Sequence, residues 1–266
     1  MTGLETANIS EMEKLGFHLS GFRKWPLDKS LKTLAKIGYK SVELCLEHPE
    51  LDPAALTDEK IAAVEDLLKK YDLRLSSISY HGKTDDLATI FKKQKEALAV
   101  AQKFNCRVLV IGTPTTSADP QGCSSFQALE ELLKAADGTG VVIAAEPEPD
   151  TVLNGMYEFS LLASHMAGSP LGLNLNLANA TLTEGDAAAV IEEWSSFIVH
   201  THICDARKNH SGHYLPGDGH LDLRRLVRKL RESNYWGDLT IDLIEIEDAP
   251  QDWALQALER CREILA

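Results

Sequence analysis

The chain alternates between strand-like and helix-like segments eight times, and this pattern constrains its fold more than any single motif. Each strand-like segment is a short apolar run, followed by a segment whose apolar residues recur at helical spacing. The predicted strands cover residues 16–20, 41–46, 73–80, 107–111, 141–146, 171–176, 197–203 and 239–246. Strict β–α alternation predicts a parallel sheet. Eight units in 266 residues predict one α/β domain, a single (β/α)8 TIM barrel over residues 1–266.

The helix-like segments have recognisable ends. Asp28 and Thr57 are predicted N-caps, and Gly38 is predicted to close the first helix. The later predicted helices cover residues 87–104, 126–136, 155–167, 184–194, 221–233 and 251–265. Residues 205–219 form the longest irregular stretch and follow the seventh strand, where a barrel carries a substrate loop. An open doubly wound sheet is disfavoured because no GxGxxG follows the first strand.

Charge and cysteine content narrow the range of partners. A formal net charge of −13 argues against a nucleic-acid partner, because phosphate binding requires clustered Lys and Arg. The five cysteines lack CxxC spacing and are interpreted as reduced thiols. The first residues are polar and acidic rather than signal-like, and no apolar run approaches the roughly 18 residues of a membrane span. We therefore expect a cytoplasmic protein without a membrane partner.

Polar residues end the last four predicted strands, and the seventh strand, FIVHTHICD, also carries His200. The strand-end residues are Glu146, Asn176, His202 and Asp242. Active sites of (β/α)8 barrels lie at the carboxyl ends of the strands, and the alternation in each segment gives Asn176 and Asp242 inward parity. Two carboxylates, an imidazole and an amide oxygen would suit Mn²⁺, Mg²⁺, Zn²⁺ or Co²⁺. The same side chains would equally form a hydrogen-bonded polar plug at the barrel mouth.

Several short motifs occur in an order that resembles one known family. They are GYKSVELCLE at 38–47, His81 after the third strand, Glu146 at the end of the fifth, LGLNLNLANA at 171–180, VHTHICDA at 199–206, LPGDGHLDL at 215–223 and YWGDLTIDL at 235–243. Together they resemble the xylose isomerase-like TIM barrel superfamily, in particular its sugar phosphate isomerase/epimerase and inositol-catabolism branch. The resemblance covers nearly the whole chain and is specific for the fold rather than for a substrate.

The resemblance implies one divalent metal ion held by a Glu, an Asp, a His and a second Glu. Matched by position, these residues are Glu146, Asn176, His202 and Asp242. Two positions depart from the family pattern. Asn176-Leu-Ala-Asn179 stands where relatives usually have Asp-x-x-His, which removes a negative charge and a proton relay. Asp242 stands where they usually have Glu, which shortens the side chain by one methylene.

The activity that the resemblance implies is metal-assisted proton abstraction next to a carbonyl. Glu146 and Asp242 would act as base and acid on opposite sides of a ketose or inositol-type substrate. One alternative is a dehydratase, a lyase acting on a keto-inositol or a sugar acid. A second alternative is a non-catalytic sugar-binding barrel with a degenerate metal site. The superfamily also contains the DNA-repair enzyme endonuclease IV, which the charge of −13 argues against.

Further residues are expected to support such a site. Those expected to contact the substrate are Trp25, His81, Asn179, Arg207, Lys208 and His220. Those expected to orient the ligands from behind are Glu43, Glu148 and Asp205. His220 is preferred over His210 and His213 because GDGH resembles the family's active-site loop. Glu245 or Glu247 would replace the Glu ligand that Asp242 does not supply, but both occupy outward-facing positions of their predicted strand. They are therefore ranked below Asp242. Relatives of this type also imply a possible homo-oligomer.

Overall fold

A computed structural model describes residues 11–82, 86–208, 210–243 and 248–265. Its strands are β1 (Leu15–His18), β2 (Ser41–Cys45), β3 (Arg74–Tyr80), β4 (Val108–Ile111), β5 (Val142–Ala145), β6 (Leu171–Asn176), β7 (Ile198–Ile203), β8 (Asp205–Arg207), β9 (His210–Tyr214) and β10 (Leu239–Ile241). Eight of them close into a barrel in the order β1-β10-β7-β6-β5-β4-β3-β2. The ring closes where β1 pairs in parallel with both β2 and β10. The predicted (β/α)8 barrel is confirmed.

Helices surround the barrel. They are α1 (Leu27–Ile37), α2 (Asp58–Lys70), α3 (Leu87–Lys103), α4 (Cys123–Ala136), α5 (Met156–His165), α6 (Leu177–Glu184), α7 (Ala187–Trp194), α8 (Leu223–Glu232) and α9 (Pro250–Leu265). Buried leucines, valines and isoleucines of strands and helices form one continuous core. Within the described ranges, every helix is too short or too polar to span a bilayer.

Two of the three predicted helix ends of α1 and α2 are confirmed, and one is wrong. Thr57 Oγ1 accepts a hydrogen bond from the Lys60 amide, and Gly38 ends α1 with a left-handed φ of 117°. Asp28, however, is not an N-cap, because α1 already begins one residue earlier. Its carboxylate instead accepts a hydrogen bond from the Tyr71 hydroxyl, at 2.7 Å. The Asp28 carboxylate therefore joins α1 to the end of α2 at the protein surface.

The largest difference from the sequence prediction lies after β6. The predicted helix over 184–194 is in fact α7, and a separate helix, α6, precedes it without any loop after the strand. The connection is this short because Asn176 ends β6 and caps α6 with its side chain. Gly185 then ends α6 in a left-handed conformation, with a φ of 82°. The sequence analysis predicts Asn176 only as a metal ligand and therefore does not predict that its side chain caps α6.

The expected irregular stretch after β7 also contains regular structure. Strands β8 and β9 form an antiparallel hairpin that belongs to a separate two-stranded sheet. The eighth barrel strand is shorter than predicted, since β10 ends at Ile241. Glu245 and Glu247 lie outside the described residues.

The break between α6 and α7 should depend on the backbone freedom of Gly185. A Cβ at this position would meet no heavy atom within 4 Å, so only its positive φ penalises a side chain. We expect Gly185→Val to lower the free energy of unfolding by about 1–2 kcal/mol, because L-residues rarely adopt this conformation. Gly185→Asn should cost clearly less, since Asn tolerates it. Urea unfolding measures both, and equal losses would contradict this explanation.

Candidate active site

The barrel strands bring titratable side chains from distant parts of the sequence to one buried site. His18 ends β1, Glu43 lies in β2 and His202 lies in β7, whereas Glu146 and Asp242 directly follow β5 and β10. Each of these five residues is exposed by 2% or less. Their convergence follows from the fold, because parallel barrel strands all end at the same face.

Glu146 is surrounded by nitrogen donors. Its Oε1 accepts hydrogen bonds from Nδ2 of Asn176 and Asn179, at 3.1 and 3.2 Å. Its Oε2 lies 2.8 Å from Nδ2 of Asn174 and 3.0 Å from Nε2 of His81. A carboxylate offers about four lone-pair positions, so donors of the protein occupy essentially all of them.

Asn176 has two separate tasks in this arrangement. Its Oδ1 accepts hydrogen bonds from the backbone amides of Ala178 and Asn179, at 3.1 and 3.2 Å, and from Cys204 Sγ at 3.4 Å. Only an oxygen can accept from a backbone N–H, so the amide nitrogen must face Glu146. The sequence reasoning expected an Asn176 oxygen among the metal ligands. In the structure this oxygen caps α6 and is turned away from the other expected ligands.

His202 connects the three buried carboxylates. Its Nδ1 lies 3.4 Å from Glu146 Oε2 and 3.6 Å from Asp242 Oδ2. Its Nε2 lies 3.1 Å from Glu43 Oε2. Glu43, expected from the sequence to support the ligands from behind, therefore contacts the imidazole at the centre of the site.

Two further histidines complete the buried layer around Glu43 and Asp242. Nε2 of His200 lies 2.7 Å from Glu43 Oε2, which also accepts a hydrogen bond from Ser77 Oγ at 2.7 Å. Nδ1 of His18 lies 2.9 Å from Asp242 Oδ1. Each buried carboxylate thus has at least one imidazole within hydrogen-bonding distance.

The ionisation of the site follows from these contacts. Burial alone would raise the pKa of Glu43, Glu146 and Asp242, but neighbouring imidazoles outweigh it and hold each pKa well below its ordinary value. Burial alone would lower the pKa of His202, but the three carboxylates raise it well above its ordinary value. Asp242 likewise outweighs burial and raises the pKa of His213. The site therefore combines ionised carboxylates with protonated imidazoles.

His81 approaches Glu146 from a turn that a second carboxylate holds in place. Glu47, just beyond β2, accepts hydrogen bonds at Oε1 from the backbone amides of His81 and Gly82, at 2.5 and 2.9 Å. Burial would raise the pKa of Glu47, but His81 and these amides outweigh it and lower the pKa. The turn after β3 is thereby anchored to the end of the neighbouring strand.

His213, rather than His220, reaches the site from the loop after β7. Its Nδ1 lies 2.9 Å from Asp242 Oδ2, and its Nε2 lies 3.3 Å from Nδ2 of Asn176. His220 is exposed, and its Nδ1 donates to the backbone carbonyl of Ala206 at 2.7 Å. The difference arises because the β8–β9 hairpin, which the sequence pattern did not reveal, carries His213 back over the barrel.

The remaining expected residues lie in loops. Arg207 is exposed, donates from Nε to the Asp218 carbonyl, and stacks 4.4 Å from the Tyr214 ring. Lys208 is also exposed. Asp205 accepts hydrogen bonds from three backbone amides of this loop, so it organises the loop rather than the carboxylates.

Trp25 and Glu148 lie on two other loops at the strand ends. Trp25 packs edge-on against Phe22, with ring centroids 5.6 Å apart, and Lys29 Nζ lies 3.3 Å from its ring centroid. Glu148 is half-buried, and its charge contributes, after those of Asp242 and Glu146, to the raised pKa of His213. Of these two residues, Glu148 is the one linked electrostatically to the site.

The chemistry of the donor set fits a divalent cation. Glu146, His202 and Asp242 each offer one ligand atom, and these atoms lie within 4.8 Å of one another. Buried Asn174 Oδ1 has no hydrogen-bond partner among the described residues, so an acceptor beside Glu146 is left over. Two carboxylates and an imidazole suit Zn²⁺, Mn²⁺ or Co²⁺. Asn176 as the fourth ligand stays a prediction, and its Oδ1 is engaged in the α6 cap.

Comparisons with known proteins agree with this architecture. The family model described as "Xylose isomerase-like TIM barrel" matches residues 31–264. The chain belongs to the xylose isomerase-like TIM barrel family. It is 23% identical to fructoselysine 3-epimerase of Escherichia coli O157:H7 over 278 aligned positions, covering 95% of this chain and 98% of the relative.

Solved structures show the same xylose isomerase-like fold. A crystal structure of the IolI protein with a zinc atom matches with a TM-score of 0.75 and 17% identity, covering 95% of this chain and 98% of the other. A D-psicose 3-epimerase crystallised in the presence of D-fructose matches with a TM-score of 0.74 and 16% identity. The match covers 95% of this chain and 99% of the other. The expected family is confirmed.

Sequence reasoning missed several residues of this xylose isomerase-like site. His18, Asn174 and His200 were not among the expected site residues, although each lies in a predicted strand. Glu47 is the last residue of the 38–47 motif, and its position in that motif does not predict a role in the site. A search for every polar residue on inward strand positions would have found His18, Asn174 and His200, because barrel interiors otherwise favour apolar side chains.

Acid should destabilise this barrel through Glu43. Its pKa lies well below the ordinary value of 4.5, so its ionised form contributes stability above pH 4.5 that is lost as pH falls through the lowered pKa. Between the lowered pKa and pH 4.5, Glu43→Gln should reduce the slope of the unfolding free energy against pH by up to about 1.4 kcal/mol per pH unit, the contribution of one proton. Urea unfolding at several pH values measures the slope.

Glu192→Gln is the matched control, because Glu192 is exposed and pairs with Lys229 on the surface. Solvent and salt screen such pairs, so its effect on the slope should be small. A Glu43→Gln slope equal to that of the wild type would show that folding does not lower the pKa of Glu43.

Proposed function

We propose that this chain is a sugar isomerase/epimerase-like enzyme that moves a proton next to the carbonyl of a ketose or inositol-type substrate. One observation carries the proposal. Two ionised carboxylates, Glu146 and Asp242, lie 3.4 and 3.6 Å from Nδ1 of a protonated His202 at the end of the barrel where active sites occur. The similarity to fructoselysine 3-epimerase over nearly the full length of both chains favours epimerisation within this class.

The two carboxylates would divide the proton transfer between two faces of the substrate. Glu146 removes the proton from the carbon beside the carbonyl. Asp242 takes a proton from the neighbouring His213 imidazole, 2.9 Å away, and returns it to the carbon from the opposite face, which inverts the centre. The amides around Glu146 and the imidazoles beside Asp242 fix both carboxylates in position. Without a cation, protonated His202 compensates their negative charge; where His202 holds a cation, its imidazole must first lose that proton.

A divalent cation held by Glu146, His202 and Asp242 would supply electrophilic polarisation of the substrate carbonyl. The site as a whole favours an uncharged sugar over a sugar phosphate. Its centre holds three carboxylates, and Arg207, a cation expected to contact the substrate, instead contacts the Asp218 carbonyl and Tyr214. Ketoses without a phosphate are therefore the first substrates to test.

Exchange of substrate protons with solvent tests the proposal. Incubation in D₂O with ketoses, fructoselysine and keto-inositols, with each of Mn²⁺, Co²⁺, Zn²⁺ and Mg²⁺, should give deuterium beside the carbonyl, measured by NMR and mass spectrometry. Glu146→Gln should lower epimer formation by about 10²–10⁴-fold, the usual contribution of a positioned acid or base. Asp242→Asn should suppress inversion more than exchange, because Glu146 can still remove and return the proton on its own face.

Glu192→Gln, a surface change of the same chemistry, is the control and should react like the wild type. A product that has lost water would show a lyase instead. Saturable sugar binding without exchange for any substrate and cation would show a non-catalytic barrel and contradict the proposal.

A further inference from the structure

Three amide side chains donate hydrogen bonds to Glu146. These hydrogen bonds affect the stability of the buried carboxylate when no cation is bound. Asn176 and Asn179 both donate to Oε1, and Asn174 donates to Oε2 beside His81. Glu146 is only 2% exposed, so water cannot replace these donors readily. Buried carboxylates normally require a cation or several N–H donors to remain ionised.

The local fold fixes the direction of the two amides at Oε1. Asn176 must direct its oxygen at the amides of Ala178 and Asn179 to cap α6, so its nitrogen faces Glu146 and His213. Asn179 lies in the first turn of the same helix, which holds its side chain beside that of Asn176. Both nitrogens therefore point at one oxygen because of how β6 passes into α6.

We propose that the amides of Asn176 and Asn179 take the place of a cation at Glu146, so that the site keeps its charge and shape when no divalent ion is bound. A cation that reaches Oε1 must displace at least one amide, and this exchange weakens its binding. The inference concerns the site of the proposed function, but it does not depend on any substrate or reaction.

Asn176→Asp is the sharpest test because it exchanges one N–H donor for an oxygen and retains an acceptor for the α6 cap. In the variant, two carboxylate oxygens face each other across the 3.1 Å that the Asn176 amide now bridges. In chelator, we expect the variant to melt about 6–12 °C below the wild type, because a buried charge has lost its partner. Saturating Mn²⁺ or Zn²⁺ should restore most of this loss.

Affinity for the ion is the second readout. Titration calorimetry with Mn²⁺ or Zn²⁺ should show at least about tenfold tighter binding to Asn176→Asp than to the wild type, since the variant adds a charged ligand. The wild type should change its melting temperature by less than about 2 °C when chelator is added. None of these measurements uses catalysis, so they can fail or succeed independently of the proposed function.

Asn179→Asp is the second variant, in case Asn176→Asp does not fold. Aspartate is favourable in the first turn of a helix, so α6 should form, and the same dependence on the cation is expected. Asn154→Asp is the matched control, because Asn154 is exposed and its oxygen already accepts the Asp150 amide. A large loss of wild-type stability in chelator would overturn the inference. Asn176→Asp and Asn179→Asp responding to cations like Asn154→Asp would also overturn it.

Discussion

The barrel mouth depends on the burial of negative charge. Glu43, Glu146 and Asp242 are each exposed by 2% or less, and isolated carboxylates at such positions would be strongly destabilising. The His202 imidazole compensates the charge of Glu43 and the His213 imidazole that of Asp242, whereas Glu146 has amides in addition to imidazole. The strand ends are thus held in place by charge balance as well as by the apolar core outside the barrel. Removal of one partner would leave a buried charge uncompensated.

The fold could be predicted from the sequence because every barrel strand is a short apolar run followed by a helical pattern. Eight repeats leave few alternatives, and the motifs from 38–47 to 235–243 identified the family before any coordinates. Strand parity also anticipated that Asn176 and Asp242 would face inward beside Glu146 and His202. The inward orientation of these residues follows from the alternation of apolar and polar residues within each strand, which can be read directly from the sequence.

What could not be predicted depends on side-chain hydrogen bonds between distant segments. The boundary between β6 and α6 is set by the oxygen of Asn176, and sequence alone does not show which residue an amide will contact. His213 reaches Asp242 because a hairpin forms within a stretch that lacks apolar alternation. His18 meets Asp242 across 224 positions of sequence, a contact that only barrel closure between β1 and β10 can create.

The link between Glu47 and the His81–Gly82 turn has a consequence for the modular view of barrel loops. Loops at this face are often treated as interchangeable parts carried by an inert scaffold. Here the turn after β3 takes its shape from a carboxylate supplied by the end of β2. A turn grafted from another barrel would leave the Glu47 carboxylate without its backbone donors unless residue 47 were exchanged at the same time. The end of β2 and the turn after β3 are therefore expected to change together when either of them diversifies.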